Sequence, residues 1–123
     1  MAKYVSDLLM DNGLNYWKTN GTEVYLCTSQ PADRAAAIAT AVVSKTDLIS
    51  GDYTGPADGT TSGRKLTANA QSGLTASGTG NATHLAWCSG TTLLVVTTVT
   101  SQSVTSGNNV SLPAISNEIA DVS

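Results

Sequence analysis

The sequence predicts a mainly β domain: a β-sandwich or barrel-like antiparallel sheet with one or two N-terminal helices. Three observations carry this expectation. After Gly63 the chain becomes a series of short runs broken by Gly-rich turns, the rhythm of sandwich strands. Before it, two stretches carry helical signals rather than strict alternation. The length of 123 residues suits one domain with a real core, spanning 1–123.

The first helix is expected from about Ser6 to Lys18. Val5, Leu8, Leu9, Tyr16 and Trp17 approximate a 3.6-residue apolar period, with Asp7, Asp11 and Lys18 for the wet side. Gly13 interrupts or kinks it, at about 1 kcal/mol relative to Ala. Asn20-Gly21 reads as a turn. Glu23 to Thr28 alternates as a strand, with Val24 and Leu26 on one face and Tyr25 and Cys27 on the other. Pro31 opens a second, alanine-rich helix with Asp33 in its first turn. Ala41-Val42-Val43 either ends that helix or begins a strand. Ser50 to Gly63, with its glycines and Pro56, reads as one long loop.

The strands of the second half follow in order. Arg64 to Ala70 is a strand, then a turn at Ser72-Gly73 and another from Ser77 to Gly80. Ala82 to Cys88 places Leu85 and Trp87 opposite His84, Ala86 and Cys88. Ser89-Gly90 is a hairpin turn, and Thr92 to Thr100 the returning strand. Leu85, Trp87, Leu93 and Val95 are the expected core of this hairpin. After a turn at Ser106–Asn109, a last strand starts at Val110 and resumes beyond Pro113, which marks an edge or bulge.

Composition excludes several function classes. The net charge of −3, with Arg64-Lys65 as the one adjacent basic pair, gives no footprint for nucleic acid. The opening MAKYVSDLLMDNG has an apolar run too short for a signal peptide, and no stretch reaches the ~20 apolar residues of a membrane span. A chain made in a cytoplasm keeps Cys27 and Cys88 as reduced, buried thiols. The sequons at Asn20, Asn81 and Asn109 then carry no meaning.

Catalytic constellations are also missing. His84 and Cys88 share a strand face but lie four residues apart, about 13 Å, beyond hydrogen-bond reach. No HExxH or CxxC occurs, and His84, Cys27 and Cys88 are too dispersed in sequence for a metal site. The GTGNAT segment, Gly78–Thr83, lacks the third glycine of a dinucleotide loop and precedes a strand rather than a helix. Asp52 and Asp58 fit no cation-loop spacing and read as a solvated loop. No enzyme activity and no cofactor is expected.

The most informative feature is an absence. All nine acids and six bases lie outside Leu66–Asn117, which is filled instead with Thr, Ser, Gly and Asn. Sheet proteins ordinarily place Lys and Glu on edges to block association. A hydroxyl surface can be buried against another protein at a cost that Lys or Glu would raise by several kcal/mol. This composition suits a subunit that packs against copies of itself or a scaffold.

The segments SGDYTGPADGTTSGRKLTANAQSG and SGTGNATHLAWCSGTTLLVVTTVTSQSVTSGNNVSLPAISNEIAD resemble a family of small tailed-phage and prophage virion proteins. The shared features are SGRK, a GxATH strand, an LL-rich strand, an SQ-V-TSGN turn and a final strand ending in IAD. LNYWKTNGTEVYLCTSQP fits the family's helix, turn and strand opening, so the likeness covers nearly the whole chain. The chain departs from the family at Ala114–Glu118, where an aromatic and an acid are usual, so no contact is carried onto that strand. The resemblance implies a virion location, synthesis in the host bacterial cytoplasm, and capsid decoration through the major capsid protein or copies of itself. The alternative is a tail or fibre component with a host- or carbohydrate-binding surface. Arg64, Lys65, Thr98 and Thr100 are the candidate subunit contacts.

Overall fold

The computed structural model describes residues 6–60 and 63–119. Val5, Ala120, Asp121 and the side chain of Asp7 lie outside the described residues. Twelve elements follow in order: helix α1 (Asp7–Asn20), strand β1 (Glu23–Cys27), helix α2 (Arg34–Thr40), β2 (Ala41–Lys45), a 3-10 turn (Ser50–Asp52), β3 (Tyr53–Asp58), β4 (Arg64–Ala68), β5 (Gln71–Thr75), β6 (Gly80–Cys88), β7 (Leu93–Val104), β8 (Asn109–Leu112) and β9 (Ile115–Ile119). The fold is mainly β and every strand pair is antiparallel.

A four-stranded sheet, ordered β2-β1-β6-β7, forms the centre. A three-stranded sheet, β3-β4-β9, and the pair β5-β8 complete the strands. Val24, Leu26, Leu85 and Trp87 on one face of the central sheet join Leu14 and Trp17 of α1, Tyr53, Leu66 and Ala68 of the smaller sheet, and Leu112 of β8 in the main core. Trp17 meets Trp87 and Tyr53 edge-to-face, with ring centroids 5.4 and 5.3 Å apart. The opposite face carries a smaller cluster of Tyr25, Cys27, Ala86 and Cys88, closed by Ala37 of α2. Both faces of β1 are therefore covered, and all five of its residues are buried.

Ser6 caps α1 through its hydroxyl, which accepts the Leu9 N–H at 3.2 Å. Asp33 caps α2, its carboxylate accepting the Ala36 N–H at 2.8 Å, one position before the expected first turn. The stripe that α1 buries is Met10, Leu14 and Trp17, while Leu8, Leu9 and Tyr16 are exposed. The expected stripe is corrected accordingly: α1 carries two apolar faces, and the one that brings Trp17 edge-to-face with Trp87 is the one buried. At Gly21 a Cβ would meet the Trp17 carbonyl and the Tyr53 hydroxyl at 2.6 Å, so the turn after α1 needs glycine.

Three further expectations change. The loop after Ser50 contains β3, whose ladder with β4 shifts register between Thr54 and Ala57, across Gly55 and Pro56. Ser72-Gly73 lies inside β5 as an irregularity, with Gly73 at φ 70°. Leu93 and Val95 do not share a face. The ladder passes from Trp87 opposite Val95 to Cys88 opposite Leu93, which inserts Leu94 and turns Leu93 toward the α2 side.

Candidate contact surface

β7 is the outer strand of the central sheet, and no described strand pairs with its far edge. It has twelve residues and no charge. Thr98 and every residue from Thr100 to Ser103 are exposed. Val95 to Thr98 form a regular ladder with β6, bounded by register shifts at both ends.

Among the described residues, three grooves border this strand. The first, about 240 Å³, lies between α1, β9 and the start of β7, lined by Leu14, Tyr16, Trp17, Leu94, Val95 and Ile119 among others. The second, about 380 Å³, runs between Val99, Thr100 and Gln102 of β7 and Ser111, Leu112 and Pro113. The third, about 270 Å³, is enclosed by Gln102–Thr105 and Asn108–Ser111. No charged residue lines any of them among the described residues. Around the first groove the surface is also apolar. Leu9, Gly13 and Tyr16 follow i, i+4, i+7 spacing on one face of α1, and Ile119 lies beside Gly13. Leu9 is 65 % exposed, Tyr16 58 % and Ile119 37 %. Two charges of α1 turn elsewhere: Asp11 pairs with Arg64, and Lys18 donates to the Gly55 carbonyl.

The four candidate contacts fall into two unconnected pairs. Thr98 and Thr100 are exposed on β7. Arg64 and Lys65 sit on β4, the middle strand of the smaller sheet. The Arg64 guanidinium holds α1 to β3, donating to Asp11 at 2.8 Å and to Asp58 at 2.7 Å. Lys65 donates to Thr60 at 3.1 Å. Leu9, Tyr16 and Ile119 were not legible as surface residues, because the apolar period assigned the first two to the core.

The thiols and the one histidine lie on the two middle strands of the central sheet. Cys27 lies directly across the β1–β6 ladder from His84, a pairing that spacing along one strand conceals. Yet its thiol is completely buried, donates to the Ala37 carbonyl at 3.5 Å, and has its pKa raised by burial. The His84 Nδ1 lies 2.8 Å from the Thr83 hydroxyl. Cys88 is opposite Glu23, so the two thiols are both free and four ladder positions apart. Burial pushes Cys88 up to about 11. Glu23 is clamped by Arg34 in a bidentate pair at 2.8 and 2.9 Å and accepts from the Tyr25 hydroxyl at 3.0 Å. The Arg34 hydrogen bonds hold the Glu23 carboxyl below its ordinary value, and burial pushes Tyr25 up to about 12. This network fastens α2 to the sheet.

Asp52 accepts from the Ile49 N–H and from Gln71, and Asp58 from Arg64, so both carboxylates serve the fold. No group of three His, Cys, Asp or Glu is placed to hold a metal among the described residues. The interior space beside Tyr53 and Trp87 measures about 10 Å³, the size of one water rather than a ligand. No described helix is long and apolar enough to cross a membrane. Comparison of the chain with protein-family models, with curated proteins and with solved structures finds no match.

Proposed function

We propose that the chain is a virion structural subunit of a tailed phage that decorates or cements the capsid by binding the major capsid protein, copies of itself, or both. The observation that carries this reading is the uncharged side of the domain along β7, where an open strand edge, three neutral grooves and the exposed apolar residues of α1 and β9 meet. Such a surface loses little on burial and gains from the removal of apolar area. The reading is non-catalytic, without cofactor, nucleic acid or membrane, and agrees with thiols locked under α2. Subunits made in the host bacterial cytoplasm would take their place on the shell exterior. The resemblance of the GxATH and SQ-V-TSGN segments supports the same assignment.

Copy number in purified virions tests it. A shell component is expected in hundreds of copies and binds assembled shells but not host cells. A handful of copies, with binding to host cells, supports the fibre reading instead. The third groove favours that alternative, since its amides and hydroxyls from Gln102, Ser103, Asn108 and Asn109 match the chemistry of a sugar.

A further inference from the structure

We propose that β7 is the site of a two-fold self-association: the β7 edges of two copies pair antiparallel and join their central sheets into one. The inference rests on the structural-subunit reading and names its interface.

The argument begins with the edge. An uncharged strand of twelve residues leaves backbone donors and acceptors along one side, with none of the Lys or Pro that commonly block pairing. The register shifts split the β6–β7 ladder into two longer regular stretches, Val95–Thr98 and Gln102–Val104, and the first and longer of these gives the contact a preferred place rather than a sliding one. The occupant follows from charge. Each copy carries a net charge of −3, so two copies repel unless they meet where neither has charge. The β7 strand and the grooves beside it carry no charge among the described residues, and a neutral Thr, Ser and Val strand is complementary to itself. A strongly charged partner would find no counter-charge there.

The grooves supply the rest of the contact. A two-fold axis perpendicular to the sheet keeps both main cores on the same side. The core-facing residues of the second strand then continue the row formed by Val95 and Val99, while the exposed Tyr16 and Ile119 of each copy lie beside the seam. An interface of ordinary size takes about 800 Å² from each partner, about an eighth of this chain's 6601 Å².

The test is the mass in solution of the full chain, measured by light scattering across a concentration series. Wild type is expected to reach two copies per particle. Thr98→Lys with Thr100→Lys, and separately Thr98→Glu with Thr100→Glu, should each weaken pairing at least about tenfold by placing like charges across the seam. Mixing the two variants should restore mixed dimers. Tyr16→Ser, which removes no buried side chain, should also weaken pairing. A monomeric or trimeric wild type overturns the proposal. So do charged variants that fold by circular dichroism and pair as wild type, or a mixture that forms no mixed dimer. Binding to capsid shells lacking this protein separates the two claims. A dimer that ignores shells sinks decoration and leaves self-pairing standing, whereas a monomer that binds shells does the reverse.

Discussion

At one edge of the central sheet, the five-residue β2 ends in Lys45 and lies under the turn of Ser77 and Gly78, whose N–H groups both donate to the Val42 carbonyl. At the other edge, the twelve-residue β7 carries no charge and is flanked by grooves. The same chain thus closes one edge by the ordinary means, a short strand, a lysine and a covering loop, and leaves the other open. Under the proposed self-pairing, the open edge is the one that takes a partner and the closed edge is not.

Between the edges lies β6, and the largest expected effect comes from its centre. Trp87 is 4 % exposed and packs on Trp17. Trp87→Ala should cost about 3–5 kcal/mol and loosen both edges together. A thermal melt matching wild type would place Trp87 outside the shared core.

Alkaline pH should act next, through the α2 face rather than either edge. Cys88 is raised from 9.0 to about 11 and Tyr25 from 10.0 to about 12, both first by burial. The unfolded chain ionises before the folded one, so their stabilising effect is complete below pH 9 and is lost as pH rises toward 12. Glu23 has the opposite sign: its lowered value gives stability that disappears as pH falls below its ordinary 4.5. Melting temperature against pH should therefore decline on both flanks, and Cys88→Ala should flatten the alkaline one. A profile level to pH 11 would contradict the burial of these groups.

Ser77→Pro sharpens the edge comparison directly. It removes one of the two N–H groups that reach the Val42 carbonyl, the one at 2.8 Å, a loss of about 1 kcal/mol, and loosens the cover over β2. Light scattering should then detect new association that charge at Thr98 does not suppress. Unchanged solubility would mean that the turn is not what keeps β2 solitary. His84→Gln should do least. His84 stands behind Thr98 in the ladder and bonds to Thr83, so the change should cost no more than about 1 kcal/mol and leave pairing intact. Loss of assembly with an intact fold would revive a chemical role for this residue.

The β6–β7 hairpin, both helices and the alternation of β1 were legible in sequence because each is set by local periodicity or by local signals such as Ser89-Gly90 and Pro31; the caps at Ser6 and Asp33 appear only in the structure. β3 was not, because Gly55 and Pro56 interrupt its pattern and the strand exists through its ladder with β4. The register shift that separates Leu93 from Val95 depends on pairing that no single strand encodes. Of the candidate surface, Thr98 and Thr100 followed from the missing charges. Tyr16 and Ile119 did not, since choosing between the two apolar faces of α1 requires the position of Trp87. The pairing of Arg64 with Asp11, 53 residues away, was equally hidden.

Hydrogen exchange tests the central claim most directly. Backbone amides of β2 and β7 would be compared in dilute protein, in concentrated protein and in assembled particles. The account predicts that β2 is protected equally in all three, while outward-facing amides of β7 around Val95–Thr98 gain protection on association. New protection confined to β4, with β7 unchanged, would contradict it and move the contact to the face of Arg64 and Lys65.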